Sequence, residues 1–327
     1  MINILVTGGA GYIGSHCCKE LSNNGYHPIT IDNLIYGHKE NVKWGEFVEG
    51  DIGDLHVLQD CFNRYKIDAV MHFAAFAYVG ESVYSPMKYY ENNLQNTFTL
   101  LKCMLENNIK KIVFSSSCAT YGHPLQVPID ETHPQNPITP YGKTKHMIED
   151  VLKDYDRAYN LKFISLRYFN AAGADPECEI GEKHTPETHL IPLLLDVACG
   201  KKDAIRILGN DYDTNDGTCI RDYIHVQDLA KAHVYALKKL LNNGQSDSFN
   251  LGTNHGYSVM EMVNQVKKVT GKEIPFIVED RREGDPPVLI AKNDKASKRL
   301  KWQPSSSNIE NIIKTAWNWH LKHCAKL

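Results

Sequence analysis

Ile2-Asn3-Ile4-Leu5-Val6-Thr7-Gly8-Gly9-Ala10-Gly11-Tyr12-Ile13-Gly14 follows the initiating methionine. Its first residues form a short apolar run that reads as a buried strand, and glycines follow at 8, 11 and 14. Residues 11 to 24 then read as a helix, with Ile13, Cys17 and Leu21 on one face and Gly25 as its stop. A glycine turn between a strand and a helix lets the backbone bend sharply and approach a pyrophosphate held on the helix N-terminus. The next strand, Pro28-Ile29-Thr30-Ile31, delivers Asp32 eighteen residues beyond Gly14. An acid at that distance accepts hydrogen bonds from an adenosine ribose and repels a 2′-phosphate, so the pattern predicts NAD rather than NADP.

Outward from this stretch the alternation continues. Glu46-Phe47-Val48-Glu49, Ala69-Val70-Met71-His72-Phe73, Lys111-Ile112-Val113-Phe114 and Phe163-Ile164-Ser165-Leu166 read as further strands separated by helical segments. Strand–helix alternation implies right-handed βαβ units and a parallel sheet covered on both faces. The expected fold is therefore α/β, a doubly wound parallel sheet, with a smaller α+β region after it. A polar loop from Ala171 to Glu187 marks the division. Residues 1–170 are expected to form the dinucleotide-binding domain and 171–327 the substrate domain, with 222–252 able to return to the first sheet.

Composition narrows the function. The 327 residues carry 36 Lys and Arg against 39 Asp and Glu, a formal charge of −3 that offers no concentrated basic footprint for nucleic acid. No apolar run approaches the roughly 20 residues needed to span a bilayer. The N-terminus lacks the early Lys or Arg of a signal peptide. Nine cysteines include no pair at C-x-x-C spacing, so reduced thiols in a cytoplasmic protein are expected, with no disulfide framework and no metal.

Tyr-x-x-x-Lys occurs at Tyr84/Lys88, Tyr141/Lys145 and Tyr235/Lys239. Pro86 interrupts the first. The third lies on the amphipathic segment from Asp228 to Leu241, which predicts a core-facing Tyr235 and a solvated Lys239. The second follows Pro140, a helix-entry signal, and Ile148 and Leu152 extend its face. A tyrosine base must ionise near neutrality against an ordinary pKa of about 10. That gap is roughly 4 kcal/mol, of which one nearby ammonium supplies about one to three units. A nicotinamide cation could supply the rest. Ser115-Ser116-Ser117 ends the preceding strand, where a hydroxyl reaches ligands at the carboxyl edge of the sheet.

Taken together these residues resemble the extended short-chain dehydrogenase/reductase family, specifically its nucleotide-sugar epimerases. The likeness runs from Thr7 to Ser15 through Glu49-Gly50-Asp51-Ile52, His72-Phe73-Ala74-Ala75, Val79-Gly80-Glu81-Ser82 and Ser115 to Ser117. It continues with Pro140-Tyr141-Gly142-Lys143 and Lys145, and with Leu166-Arg167-Tyr168-Phe169-Asn170. It ends with Gly209-Asn210-Asp211-Tyr212, Arg221-Asp222-Tyr223-Ile224-His225-Val226 and Arg281-Arg282-Glu283-Gly284-Asp285.

The resemblance implies roles. Tyr12 and Ile13 offer backbone contacts to the pyrophosphate, Asp32 and Asn33 hold the adenosine ribose, and Asp51 and Ile52 contact adenine. Phe73, Ala74, Ala75, Asn92 and Ser115 line the cofactor, with Lys145 on the nicotinamide ribose and Phe169 beside the ring. On the sugar-nucleotide side it places Asn170, His189 and Leu190, the stretch Arg206-Ile207-Leu208 facing uracil, and Tyr223 and Asp285 near the ligand. Arg221 and Arg282 would grip the phosphates. Leu289 would border the sugar near its 2-substituent, where leucine leaves more space than tyrosine. Three positions depart from relatives. Ala77 stands where a lysine occurs in some, His189 where some have Asn, and the segment Leu34-Ile35-Tyr36-Gly37-His38 looks shorter.

The activity implied is reversible C4 inversion of a UDP-hexose, interconverting UDP-galactose and UDP-glucose through a 4-keto sugar, with Tyr141, Lys145 and Ser117 catalytic and NAD as resident cofactor. Epimerisation of UDP-N-acetylglucosamine or UDP-glucuronate is the neighbouring alternative. A 4,6-dehydratase would need acids after the serine strand, where Cys118-Ala119-Thr120 stands. A non-catalytic NAD sensor would not need a tyrosine base. Apolar residues on two sides of the helices spanning 88–107 (Leu94, Phe98, Leu101, Leu105; Leu100, Met104) and 141–159 (Met147, Val151, Tyr155) predict a homodimer.

Overall fold

The computed structural model describes residues 1–282 and 284–324; Glu283, quoted above within its motif, lies outside them. The first half runs β1 (Asn3–Thr7), α1 (Tyr12–Asn23), β2 (His27–Asp32), β3 (Glu46–Glu49), α2 (Leu55–Arg64), β4 (Ile67–His72), α3 (Val79–Tyr84), α4 (Pro86–Tyr89), α5 (Asn96–Glu106), β5 (Lys111–Ser117), α6 (Pro140–Tyr159) and β6 (Lys162–Tyr168). The second half runs β7 (Asn170–Ala172), α7 (Leu190–Ala198), β8 (Ile205–Leu208), β9 (Ile220–Arg221), β10 (Tyr223–His225), α8 (Val226–Leu241), β11 (Asp247–Leu251), β12 (Tyr257–Ser258), α9 (Val259–Thr270), β13 (Phe276–Glu279), β14 (Val288–Leu289), α10 (Asp294–Leu300) and α11 (Ile309–Cys324).

Seven strands form one parallel sheet in the order β11-β6-β5-β4-β1-β2-β3. The doubly wound Rossmann-like sheet expected from the alternation is what the chain builds. Its order reverses beside β1, which puts the ends of β1 and β4 at the crevice where such sheets bind ligands. Ile4, Leu5 and Val6 of β1 are wholly buried, because α1 and α8 cover one face and α2, α5 and α6 the other. The edge strand β11 and helix α8 come from beyond residue 222 and complete this sheet, β11 pairing in parallel with β6.

Local chemistry sets the helix ends that matter here. Thr139 caps α6 by accepting the N–H of Gly142 at 3.2 Å, and Pro140 occupies the first turn, where its missing N–H costs nothing. Between α4 and α5 the chain takes a π-helical turn over Tyr90–Gln95, a distortion frequent at functional sites. Pro86 opens α4 after α3 has ended at Tyr84, so Tyr84 and Lys88 sit on different helices. On α8 the expectation of a core-facing Tyr235 is overturned. Tyr235 is 37 % exposed and Lys238 lies over its ring, while Val234, Ala236 and Leu237 take the inner face.

A third core, built on α7, α9 and α11, supports short strand pairs in the second half. No helix among the described residues is long and apolar enough to cross a membrane. Among the described residues Cys17, Cys18, Cys61, Cys103, Cys118, Cys178 and Cys219 form no disulfide.

Candidate active site

The glycine turn is held where the sequence puts it. Gly8 donates to the carbonyl of Ile31 at 2.8 Å and adopts φ 72°, and a Cβ there would lie 2.6 Å from the Ala74 nitrogen. A Cβ on Gly14 would meet the Gly8 carbonyl at 2.2 Å, so the helix seats directly on the turn. Gly11 is the N-cap of α1, but no side chain caps that end and no acid stands in its first turn. The first N–H groups of α1 thus face the cavity with the positive end of the helix behind them, which suits a pyrophosphate.

Asp32 sits beside the turn. Its carboxylate accepts the N–H groups of Ala10 at 3.0 Å and Leu34 at 2.9 Å, and burial raises its pKa against those two bonds. Asn33 donates to Asp51 at 2.7 Å, and Asp51 also accepts from Gly53 N at 2.7 Å and Asn96 Nδ2 at 3.0 Å. Phe73, Ala74 and Ala75 leave the end of β4, and Asn92 projects from the π-helical turn. Open helix amides, a carboxylate at the second strand and a glycine cradle fit an adenine dinucleotide. Tyr12 adds something unforeseen: its buried hydroxyl donates to the Gly173 carbonyl at 2.5 Å, tying α1 to the second half.

Across the sheet, α6 carries Tyr141 and Lys145 one turn apart against the end of β5. The Lys145 ammonium donates to the Ser115 carbonyl at 2.7 Å and lies 5.9 Å from the centre of the Tyr141 ring. Ser117 hydrogen-bonds the Tyr141 phenol, and Ser115 Oγ meets the Tyr168 hydroxyl at 2.5 Å. Burial dominates both ionisable groups. It pushes Tyr141 up to about 12, with the Ser117 bond opposing, and Lys145 down to about 7, with Glu149 opposing. The expected lowering of the phenol by the ammonium is thus outweighed in the protein alone.

A buried ion pair lies one turn below Lys145. Glu149 Oε2 and Arg167 Nη2 are 2.5 Å apart and nearly solvent-free, and Ser116 donates to Glu149 at 2.5 Å. Arg167 also reaches Tyr121 and Gln135. The sequence reading missed this network. The signal available was an acid four residues after the lysine, on the same helical face.

The second half closes the cavity. Asn170 opens β7 against β10, His189 precedes α7 and Leu190 begins it. Arg221 Nη2 pairs with Asp285 at 3.1 Å and Arg282 Nε approaches the same carboxylate at 3.9 Å, so one acid holds two guanidinium groups side by side. On β8, Arg206 is exposed and bonded to Glu279, while the Ile207 side chain is 1 % exposed and packs in the third core. Leu289 pairs with Arg221 in register and also packs near Phe169 and Tyr121. Tyr223 is buried in the third core.

One cavity of about 1110 Å³ gathers the glycine turn, the Ser117, Tyr141 and Lys145 group and the two arginines, with the Glu149–Arg167 pair outside its lining. Its wall includes Gly8, Gly11, Gly14 and Asp32 at one end, Ser117, Tyr141, Lys145 and Phe169 in the middle, and Arg206, Leu208, Arg221, Arg282, Asp285 and Leu289 at the other. The volume exceeds the upper range of about 1,000 Å³ for single drug-sized ligands and suits two adjoining ones. Tyr36, Tyr78, Glu182, His184 and Glu187 line it too, though the sequence reading assigned them nothing.

Comparison with known proteins agrees with this arrangement. Residues 4–252 match the model of the NAD dependent epimerase/dehydratase family, ending one residue beyond β11. A UDP-glucose 4-epimerase of Lacticaseibacillus casei is 51% identical over 323 residues, covering 98% of each chain. The crystal structure of UDP-glucose 4-epimerase from Brucella ovis in complex with NAD superposes with a TM-score of 0.95 at 50% identity, over 97% of this chain and 98% of that one. The UDP-Glc/GlcNAc 4-epimerase of Campylobacter jejuni gives 0.86 at 41% identity, over 98% of this chain and 100% of that one.

Proposed function

The chain belongs to the NAD dependent epimerase/dehydratase family, and from that premise we propose how its own side chains invert C4 of a UDP-hexose. It is an NAD-dependent enzyme that interconverts UDP-galactose and UDP-glucose. NAD, when bound, would supply a hydride acceptor that is regenerated within each turnover.

Tyr141 takes the proton of the sugar 4-hydroxyl, directly or through Ser117, and returns it to the product. Lys145 favours the phenolate by its charge and orients the nicotinamide ribose. Arg221 and Arg282, set side by side by Asp285, hold the diphosphate while the 4-keto sugar turns about its pyrophosphate linkage and presents its other face. The cavity's breadth accommodates that rotation. Gly8 to Gly14, Asp32, Asn33, Asp51, Ile52, Phe73 to Ala75, Asn92, Ser115 and Phe169 bind the cofactor in this reading. Asn170, His189, Leu190, Arg206 to Leu208, Tyr223 and Leu289 surround the sugar nucleotide. Residues 171–327 form the substrate domain, with 222–252 lent to the first sheet.

The observation that carries these assignments is the convergence of Ser117, Tyr141 and Lys145 on the cavity that also holds the glycine turn. Tyr141→Phe is expected to retain NAD and UDP binding and to lose about 10² to 10⁴ in turnover of UDP-galactose. A loss below about tenfold removes Tyr141 from the base role.

Two coarser inferences accompany this one. Phe98 and Met147 are each 42 % exposed, and Leu94, Leu105, Val151 and Tyr155 are only partly covered. This strip on α5 and α6 supports a homodimer about a two-fold axis, and a monomeric mass in solution at micromolar concentration would defeat it. Cysteines such as Cys17, Cys18, Cys61 and Cys103, buried without a disulfide, support a reducing, cytoplasmic location.

A further inference from the structure

The loop between β7 and α7 brings Glu182, His184, Glu187 and His189 together at the cavity wall. His189 Nδ1 stands 3.0 Å from Glu182 Oε1 and 2.9 Å from Glu187 Oε1. His184 Nδ1 stands 3.5 Å from Glu182 Oε1 and 3.5 Å from Glu187 Oε2. Two imidazole nitrogens and two carboxylates therefore converge on one point. Four ligands bound tetrahedrally at about 2.0–2.1 Å are separated from one another by about 3.3 Å, a value that the four imidazole–carboxylate distances bracket, with one donor atom from each residue lying within 4.8 Å of the others.

We propose that this cluster is a binding site for one zinc-class divalent ion that fixes the loop ahead of α7. Two imidazoles with two carboxylates form a donor set suited to zinc, which favours four-coordinate sites. A proton shared between His189 and the two acids is the simplest competing arrangement. It leaves His184 as only an ion-pair neighbour of both acids, at 3.5 Å from each. That ring's Nδ1 is buried and faces the same two acids from too far for a well-formed hydrogen bond to either. Among the described residues neither Glu182 nor Glu187 pairs with a Lys or Arg. The contrast is nearby: Asp175, Glu177 and Glu179 also cluster, but there the Lys19 ammonium fills the centre at 2.7–2.9 Å.

The surroundings are built as a metal site's supporting shell is built. Glu187 Oε1 also accepts the N–H groups of Thr188 and His189, each at 2.8 Å, which orients its carboxylate. Trp319 Nε1 donates to the Glu182 carbonyl at 3.1 Å. Tyr78 donates to the Pro186 carbonyl at 3.0 Å, and His38 Nε2 lies 3.1 Å from the Lys183 carbonyl. The rings of Tyr12 and Tyr78 stand edge-on to His184. The loop thus touches the glycine-turn helix on one side and leads into His189 and Leu190 on the other. An ion there ties the cofactor half to the substrate half. Cysteine spacing gave no hint of it, because the donors are His and Glu spread over eight residues.

The test uses tag-free holoenzyme treated with chelator, desalted and titrated with zinc chloride by calorimetry. One equivalent per chain is expected, weakened by at least about a hundredfold in both His184→Ala and Glu182→Gln. Retained NAD content and far-ultraviolet circular dichroism certify each variant. X-ray absorption at the zinc edge of the loaded wild type should show two imidazoles and two oxygens at about 2.0–2.1 Å, and that readout needs no variant to fold. Absence of stoichiometric binding overturns the proposal and leaves the shared proton. So does binding that both variants retain, or a zinc shell containing sulfur. None of these outcomes bears on the epimerase reading, which turnover of UDP-galactose tests separately.

Discussion

Replacing Lys145 by methionine removes a charge while keeping a stem of similar length, and its effect should depend on pH in a way the geometry fixes. Burial pushes the Tyr141 phenol up to about 12 and the Lys145 ammonium down to about 7. The other groups facing the ammonium change little over this range. They are the Ser115 carbonyl, the Phe114 ring, Glu149, held charged by Arg167, and His72, whose burial keeps it neutral with a pKa of about 3. The pair therefore sheds one proton near pH 7 and the next near 12, and its proton count is constant between. The reactive share, phenolate beside ammonium, is flat over that interval. It is about one part in 10⁵ from the gap between the two groups, raised about 10- to 10³-fold by their mutual attraction. In Lys145→Met the phenol ionises alone, so phenolate grows about tenfold per pH unit. The variant should then trail wild type by about 10- to 10³-fold at pH 7, and the deficit should shrink about tenfold with each unit. A cation common to both enzymes shifts both phenols alike and drops out of the ratio. The assay is initial turnover of UDP-galactose in quenched samples from about pH 6.5 to about 10, with NAD content per chain measured alongside. Equal deficits at pH 7 and pH 9 would refute the reasoning and leave Lys145 as a ribose contact only.

Three further outcomes follow from the same geometry. Asp32→Ala should be purified with markedly less NAD per chain while its fold is retained, because the carboxylate braces the glycine turn through Ala10 N and is proposed to hold the ribose; a full complement of NAD would displace that assignment. Arg167→Met strands the Glu149 carboxylate in a solvent-free site and should lower stability by about 3–5 kcal/mol, read as a fall in the denaturant midpoint at pH 7. A loss under about 1 kcal/mol would mean that water or a proton relieves the acid. Leu289→Tyr should shift the ratio of kcat/KM for UDP-glucose over UDP-N-acetylglucosamine toward glucose by a factor equivalent to about 1–3 kcal/mol. If wild type ignores the acetylated sugar, or the variant keeps the wild-type preference, Leu289 serves only its packing near Phe169.

The parts of this molecule that sequence announces are those whose signal is local. The glycine turn, its strand and its helix occupy adjacent residues, so the steric need for glycine and the amphipathic period appear side by side. Gly8 at φ 72° and Gly14 against the Gly8 carbonyl are the physical content of that pattern. The entry to α6 is equally local, since Thr139, Pro140 and the Tyr141/Lys145 spacing lie within seven residues. Continuous apolar runs in β1 and β4 identify a sheet covered on both faces, because only burial on both sides tolerates them.

What the chain hides is chemistry assembled across distance, and each case has its own reason. Arg167 meets Glu149 because β6 runs beneath α6, a packing relation that the Lys145/Glu149 spacing on α6 signals only on its own side. Arg221 and Asp285 are 64 residues apart and meet because β9 pairs with β14; residue type alone could not separate a phosphate grip from a surface ion pair. Ile207 shows the opposite failure. It sits in a stretch that borders the cavity, yet strand alternation sends its side chain to the core. Tyr235 fails for a related reason, as small residues on α8 let the helix lie close to α1 and turn the larger ring outward. The burial of Tyr141 and Lys145 belongs to the same class. Sequence could name the pair, but only the packed site shows that desolvation opposes the charged form of both, so the lysine's charge must work against burial rather than against water alone.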